Sequence, residues 1–207
     1  MINFTKVHAL GNDFLLVEDN QEIQADQLPA LTRLLCERHT GIGADGLILI
    51  KVLDFDRGRV SFRIFNADGS EAEISGNGLR CASAFLFHYQ KVPGNVINFE
   101  TIVGEHLTEL ISRDNNHFEI RTDMGQPKFS SKDIPFDDGS EHDFIIDYPL
   151  SINRKIYNVT CVSTGNPHCD IFVERFFPAR IEWHQIGQEV EHHPFFPNRT
   201  NVEFIRV

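Results

Sequence analysis

Short strand-like segments separated by turns run through most of the 207-residue chain, and this pattern limits its possible folds more than any other feature. Period-two alternation or a short apolar run, bounded by Gly, Pro, Asn or Asp, is typical of β-strands. The segments with this pattern are 3–8, 14–17, 47–52, 60–65, 96–99, 118–121, 156–162 and 171–173. The sequence therefore predicts a chain in which strands outnumber helices.

Two segments carry apolar residues at helical spacing. Within 27–39 the leucines recur every three or four residues, and Gly41 follows where a C-terminal glycine cap belongs. In 79–89 the apolar residues step by three, four and three until Pro93 ends the pattern, which predicts a helix that begins just after Ser75. Many strands with a few such helices predict the α+β class.

The best candidate for a domain boundary is the segment 124–127 (Met-Gly-Gln-Pro), because a polar, acidic stretch follows it. Exposed polar segments with Gly and Pro are typical of domain linkers. We therefore predict an N-terminal domain at 1–123 and a C-terminal domain at 124–207.

A short internal echo predicts that the two domains are related halves. The Gly-Asn pair at 11–12, followed by Leu-Leu-Val-Glu at 15–18, resembles the pair at 165–166, followed by Ile-Phe-Val-Glu at 171–174. If the halves are duplicates, the helix after Ser75 has no counterpart before residue 207. The second domain is therefore expected to be incomplete.

Composition excludes several classes of function. Thirty acidic against nineteen basic residues give a net charge of −11, with no Lys/Arg cluster, so nucleic acid is not an expected partner. No run of about 18 apolar residues occurs and the N-terminus lacks the order of a signal peptide, which predicts a cytoplasmic protein without a membrane partner. The four scattered cysteines lack C-x-x-C spacing and His192-His193 has no third ligand at metal spacing, so reduced thiols and no metal site are expected.

Ser75-Gly76-Asn77-Gly78 opens the second predicted helix and is the strongest local candidate for a binding site. Glycines at a helix N-terminus let the backbone approach a ligand, and the free N–H groups and macrodipole favour an anion such as a carboxylate. The alternative is that Ser75 is only an N-cap and that the glycines form a tight entry turn. The sequence alone leaves both interpretations open.

Asparagine and glycine occur together at several turns, and one of these turns is followed by a histidine. Asparagine presents both a donor and an acceptor, which suits a zwitterionic amino-acid ligand, although both residues are also common in ordinary turns. His168 precedes Cys169, but neighbouring strand residues point to opposite faces, so His168 either acts with a residue from elsewhere or is an ordinary loop histidine. The Asn/Gly clusters are 11–13, 66–69, 76–78, 165–168 and 198–201.

Taken together, these motifs resemble the diaminopimelate epimerase family. The matching segments follow one another along the whole chain, at 4–14, 38–46, 65–73, 76–81, 165–169 and 197–204. The resemblance implies an enzyme that interconverts LL- and meso-diaminopimelate, for lysine and cell-wall precursor biosynthesis, with no cofactor. It also implies two pseudo-symmetric domains, each a β-rich shell around a central helix, with the substrate between them, and pairing of chains as a homodimer.

The mechanism that the resemblance implies uses two bases. One cysteine thiolate removes the α-proton, a second thiol returns a proton to the opposite face, and helix N-termini stabilise the developing negative charge. By their match to family positions, Ser75 and His168 are the catalytic candidates, with His168 beside the first base. The substrate-binding candidates are Asn12, Asn66, Gly76, Asn77, Asn166 and Asn201.

Departures from the family pattern put the activity of this chain in doubt. Ser75 stands where the family has its first catalytic cysteine, and a serine hydroxyl ionises far above the roughly 8.5 of a free thiol. Cys81, six residues further along the helix, does not replace it. The second catalytic cysteine belongs to a family segment beyond residue 207, and Gly46 stands where some relatives have a substrate-contacting glutamine.

Three interpretations follow from the resemblance and its departures. The first is an epimerase whose activity, for the chain as written, is low or absent. The second is a non-catalytic amino-acid-binding module that kept the helix-tip site and lost both bases. The third is another isomerase of the same superfamily, which acts on a different substrate through one acid/base group.

Overall fold

The structure is a computed structural model that describes residues 2–19, 23–175 and 180–206. The chain divides into two compact units, Met1–Met124 and Gly125–Val207. The strands are β1 (Thr5–Ala9), β2 (Asn12–Glu18), β3 (Gly46–Asp54), β4 (Arg59–Asn66), β5 (Glu71–Ala72), β6 (Val96–Thr101), β7 (Gly104–Asp114), β8 (His117–Thr122), β9 (Ile145–Ile152), β10 (Lys155–Ser163), β11 (Pro167–Phe172) and β12 (Asn201–Ile205). The helices are α1 (Leu28–Cys36), α2 (Gly76–His88) and α3 (Arg180–Glu191).

The first unit is one eight-stranded sheet that curls around α2. Its strand order is β1-β2-β3-β4-β6-β7-β8, and the short β5 pairs with β4. Helix α2 packs against both edge strands, β1 and β8, as well as against β2, β3 and β7. A helix can touch both edges of one sheet only if the sheet wraps around it, so α2 is the centre of this unit's main core.

Helix α2 follows the predicted apolar pattern. It begins at Gly76, directly after Ser75, and ends at His88, before Pro93. Leu79, Leu86 and the alanine between them at position 82 are completely buried against the sheet. Burying one such leucine side chain contributes about 2 kcal/mol. The apolar residues whose spacing predicted the helix therefore also stabilise its packing against the sheet.

Helix α1 ends at Cys36 rather than near His39, so it is shorter than predicted. Glu37 has extended backbone angles, and its carboxylate accepts a hydrogen bond from the N–H of Thr40 at 2.6 Å. This side-chain acceptor competes with the helical pattern and turns the chain. The backbone N–H of Gly41 then donates to the carbonyl of Glu37 at 3.0 Å, which closes the helix end.

The second unit is a four-stranded sheet in the order β12-β11-β10-β9, with α3 packed on β12 and β9. Strand β11 begins at Pro167, four residues before the predicted segment 171–173. The sequence pattern placed Pro167 and His168 in a turn, but both residues pair with β10, and His168 also pairs with β12. The sequence patterns did not predict α3. Their apolar signal is weak there, since polar residues dominate 184–189.

The two units repeat one arrangement of three strands. Strand β2 pairs antiparallel with β1 and parallel with β3, and β11 pairs antiparallel with β10 and parallel with β12. The residue two places after Asn12 pairs with Gly46, and the residue two places after Asn166 pairs with Asn201. The internal echo in the sequence therefore corresponds to the same strand register in both units, as expected for pseudo-symmetric halves.

Candidate functional site

The N-terminus of α2 presents free backbone donors. Ser75 is the N-cap, and its Oγ accepts a hydrogen bond from the N–H of Gly78 at 3.0 Å. The Ser75 carbonyl accepts the N–H of Leu79 at 2.8 Å. The N–H groups of Gly76 and Asn77 receive no acceptor from the described residues. Because the positive end of the helix dipole lies here too, this tip suits an anionic group.

Glycine at position 78 lets this helix tip lie directly on the sheet. A Cβ built at Gly78 would lie 3.0 Å from Cδ1 of Ile64 and 3.2 Å from Cζ of Phe62. Both contacts are tighter than van der Waals packing normally allows, so only glycine fits without movement of the core. The motif's second glycine therefore serves packing, and the backbone of Gly76 and Asn77 is what remains for a ligand.

Two asparagines and an arginine meet beside the tip. The Asn77 amide Nδ2 lies 3.5 Å from Oδ1 of Asn12, and Nη1 of Arg80 donates to Oδ1 of Asn77 at 3.1 Å. The Arg80 side chain reaches back to the first turn, where its positive charge adds to the field of the helix N-terminus and strengthens its attraction for an anion. The sequence motif contained Arg80, but only the helical i,i+3 geometry reveals its contact with Asn77.

A charged network holds Asn12. Asn12 Nδ2 donates to Oδ2 of Asp45 at 2.8 Å, and Nη2 of Arg38 bridges Oδ1 of Asp45 at 2.6 Å and Oδ1 of Asp13 at 2.7 Å. The hydrogen bond from Arg38 lowers the pKa of Asp13 far below its usual value, against the opposing effect of burial, and Lys6 at 3.0 Å adds to the lowering. Asp13 therefore stays ionised, and the pair of Arg38 with Asp45 holds the carboxylate that fixes the Asn12 amide.

Asn66 lies near this group without a hydrogen bond to it among the described residues. It ends β4, opposite Gly46, and its Nδ2 donates to Oγ of Ser70 at 3.1 Å. The next residue, Ala67, donates its N–H to the carbonyl of Asp45 at 3.1 Å. Asn66 is thus exposed, at the same end of the sheet as Asp45.

Gly46 has no room for a side chain in this backbone. A Cβ at this position would lie 2.4 Å from the carbonyl oxygen of Phe65, which belongs to the neighbouring strand β4. Such a contact lies well inside the sum of the van der Waals radii. A glutamine here would therefore require a shift of β3 or β4.

In the second unit, Asn166, His168 and Asn201 come together. His168 Nδ1 lies 2.8 Å from Oε1 of Glu203, and Nε2 lies 3.0 Å from Oδ1 of Asn166. Asn201 pairs with His168 across the strands and donates from Nδ2 to the carbonyl of Pro167 at 3.0 Å. The hydrogen bond to Glu203 raises the pKa of His168, although burial opposes the rise. Sequence reasoning missed Glu203, because its contact follows from strand register.

The cysteines do not supply a thiolate to either group of residues. All four are free and buried. Burial raises the pKa of Cys81 to about 12 and that of Cys36 to about 11. Cys169 lies in the second unit's core, on the strand face opposite His168, and its hydrogen bond with Cys161 raises its pKa further. Near neutral pH, Cys36, Cys81 and Cys169 are therefore protonated thiols.

In the described part of the chain, no group of three His, Cys, Asp or Glu side chains is arranged to hold a metal ion. No helix there is long and apolar enough to cross a membrane.

Comparison with known proteins identifies the family. A family model described as diaminopimelate epimerase matches residues 4–130. The proteins named diaminopimelate epimerase from Halothermothrix orenii and Moorella thermoacetica are 42% and 44% identical to the whole chain, which spans 72% of each. The chain belongs to the diaminopimelate epimerase family. The resemblance inferred from the sequence motifs is thereby confirmed, and with it the assignment to an isomerase family.

Solved structures support the epimerase-family fold. A probable proline racemase from Agrobacterium radiobacter, with bound carbonate, superposes with a TM-score of 0.68 over 99% of this chain and 66% of its own, at 16% identity. A hydroxyproline epimerase from Agrobacterium vitis, with bound trans-4-hydroxy-L-proline, superposes with a TM-score of 0.66 over 97% and 64%, also at 16% identity. At this identity the likeness concerns the fold, and it agrees with the predicted α+β class with two pseudo-symmetric halves.

Proposed function

We propose that this epimerase-family chain binds diaminopimelate, with one substrate carboxylate at the N-terminus of α2, and that the 207 residues as written epimerise it very slowly or not at all. The observation that carries the proposal is the α2 tip, where Gly76 and Asn77 offer free N–H donors while a serine occupies the first base position. The site is therefore expected to bind the substrate without efficient transfer of its α-proton.

The chemistry of the tip supports binding of an amino-acid carboxylate. Two backbone N–H groups, the helix dipole and the guanidinium of Arg80 all favour negative charge. The Asn12 amide beside them is fixed by Asp45, so a ligand need not pay for ordering it. Asn66 at the same sheet end offers a further amide.

Ser75 supports the proposal of low turnover. Its Oγ already accepts the Gly78 N–H as an N-cap, and a hydroxyl holds almost no anion near neutral pH. Cys81 lies on the same helix but is buried, with a pKa raised to about 12 by burial. In this unit no ionised thiol takes the place of the family's first base.

We also propose substrate-binding roles for Asn166 and Asn201 and a catalytic role for His168 in the second unit. The two amides suit the ammonium and carboxylate groups of an amino acid, and His168 lies beside Asn166. The proposal for each residue rests on its match to the family pattern and on the cluster that the three form. Substitution of any one is expected to weaken binding of diaminopimelate.

The test combines isotope exchange with ligand-induced stabilisation. The chain is incubated in D₂O with LL-diaminopimelate, and deuterium at the α-carbon and the shift in unfolding temperature are measured. We expect stabilisation with exchange far below the turnover of an ordinary enzyme, about 10 s⁻¹. Exchange at that rate would contradict the low-turnover proposal.

Ser75→Cys tests the base position directly. A thiol at a helix N-terminus has a lowered pKa, so we expect the exchange rate to rise at least about tenfold. Ser151→Cys, which adds a thiol at an exposed position of β9, is the matched control and should leave the rate unchanged. Equal rates in the two variants would contradict the assignment of position 75.

The same assay separates the alternatives. Stabilisation without exchange, in the wild type and in Ser75→Cys alike, favours a non-catalytic amino-acid-binding module. No response to diaminopimelate favours another isomerase of the superfamily with a different substrate. Both outcomes count against epimerisation of diaminopimelate by this site.

We also propose that the chain forms a homodimer and acts in the cytoplasm. The homodimer rests on the family resemblance. The cytoplasmic location is supported by the sequence, whose four cysteines are too few and too scattered for a disulfide framework.

A further inference from the structure

We infer that Glu203, with Asp170 beside it, is a positioning residue that holds the His168 ring in one orientation with both of its nitrogens protonated. Neither carboxylate belongs to the site residues that the family pattern supplied. The inference concerns this chain's own side chains, and its meaning for catalysis rests on the proposed function.

The three side chains share one face of the second sheet. Strands β11 and β12 are parallel, with His168 opposite Asn201 and Asp170 opposite Glu203. Because side chains alternate along a strand, His168, Asp170 and Glu203 project to the same side, while Cys169 projects into the core. The strand register therefore places two carboxylates beside one imidazole.

Both ring nitrogens of His168 face acceptors. Nδ1 lies 2.8 Å from the carboxylate oxygen Oε1 of Glu203, and Nε2 lies 3.0 Å from the amide oxygen of Asn166. A neutral imidazole has one N–H and satisfies one of these acceptors, whereas the imidazolium satisfies both. The two contacts also fix the ring plane, since a rotation about χ2 would break both.

A second carboxyl group, that of Asp170, lies next to Glu203. Oε2 of Glu203 is buried and has no donor among the described residues, yet the Asp170 carboxyl lies within hydrogen-bonding reach of Glu203. Burial raises the pKa of Asp170, and the Glu203 charge raises it further. The strand register therefore places a second carboxyl group beside Glu203, on the same side of the sheet as the imidazole.

No other charged group opposes this pair on the neighbouring strands. On β10, the residues opposite His168 and Asp170 are Val162 and Thr160, which are uncharged. Helix α3 packs on the other face of β12, where Trp183 contacts Phe204. The charges that act on His168 are those of Glu203 and Asp170, and both raise its pKa.

The test is a pH titration of His168 by NMR in the 207-residue chain. His168→Gln identifies its resonance among the ten histidines. In the wild type we expect a midpoint above the ordinary histidine pKa of about 6.5 and two ring N–H signals at neutral pH. Glu203→Gln removes the charge and keeps the shape, and we expect it to lower the midpoint by about one pH unit, a tenfold loss of proton affinity.

Two further variants make the result specific. Glu191→Gln removes a carboxylate near His192 and should leave the His168 midpoint unchanged, which controls for net charge. Asp170→Asn should lower the midpoint less than Glu203→Gln does. Equal midpoints in the wild type and Glu203→Gln, with both folded by circular dichroism, would overturn the inference.

Binding of diaminopimelate to the same variants separates this inference from the proposed function. If Glu203→Gln shifts the His168 titration but no variant or wild type binds the ligand, the positioning role stands and the proposed function fails. If the wild type binds and the titration does not move, the positioning role fails and the proposed function stands.

Discussion

Single residues in this chain serve packing and chemistry at once, and the glycines illustrate this most clearly. Gly78 brings the α2 tip onto Ile64, and Gly46 brings β3 close to the Phe65 carbonyl. Neither role follows from turn propensity, which is what a sequence pattern detects. The Gly-rich motif was therefore predictable as a helix start, but the reason for each glycine was not.

Gly46→Ala tests the close approach of β3 and β4. Its Cβ would lie 2.4 Å from a backbone oxygen, so we expect a loss of about 1–3 kcal/mol in the free energy of unfolding, measured by urea denaturation. Gly187→Ala is the control, because no atom lies within 4 Å of a Cβ there. It should stabilise α3 by about 0.5–1 kcal/mol. Similar losses in both variants would contradict this account of Gly46.

The helices and loops differ in how far their sequences determine them. Helix α2 was predictable because its apolar spacing, its serine cap and Pro93 agree. The end of α1 was not, because the Glu37 carboxylate captures the N–H of Thr40. The loop after α1 carries Asp45, whose role depends on a contact with Asn12 thirty-three positions away. Local patterns contain no information about such contacts.

The ion pair between this loop and β2 predicts a pH dependence. Asp13 has a lowered pKa, chiefly through Arg38, so the unfolded chain binds its proton at higher pH than the folded chain does. The stabilisation is therefore present above the unfolded pKa of about 4 and is lost as the pH falls through the folded value. Arg38→Met should make the unfolding free energy depend less steeply on pH below about 4.

The control for this prediction is Arg57→Met. Arg57 pairs with Asp54 at 3.8 Å in an exposed hairpin turn, where solvent screens the charges. Its loss should leave the acid limb of the stability curve unchanged. Arg38→Met should also weaken diaminopimelate binding, because Asp45 loses its ion pair and no longer holds the Asn12 amide in one position. Parallel acid limbs for the wild type and Arg38→Met would count against the ion pair.

At the scale of the whole molecule, the sequence predicted the α+β class and the kinship of the two halves. Both followed from signals that repeat along the chain, namely strand alternation and the Gly-Asn echo. Asn12 and Asn166 occupy equivalent places beside β3 and β12, which the echo indicated. Arg80, Asp45 and Glu203 were not predictable as site residues, since their contacts depend on helix geometry and strand register.

The homodimer proposal is tested by mass in solution. For a chain of 23.7 kDa, sedimentation equilibrium should give twice that mass. We expect the dimer to persist in Ser75→Cys, since that change lies at the α2 tip rather than on a proposed contact between chains. A single species at the monomer mass, across micromolar concentrations, would contradict the proposal.

In the proposed function, the contact of Gly78 with Ile64 couples ligand affinity to the interior of the first unit. Gly78 directly follows the two residues proposed to receive the carboxylate, and a Cβ on it would lie only 3.0 Å from Cδ1 of Ile64. A change of volume at Ile64 or Phe62 would displace the receiving N–H groups, even though neither side chain meets solvent. Selection for affinity would then act on buried hydrophobic residues. Engineering that repacks this interior would also change the affinity for the ligand.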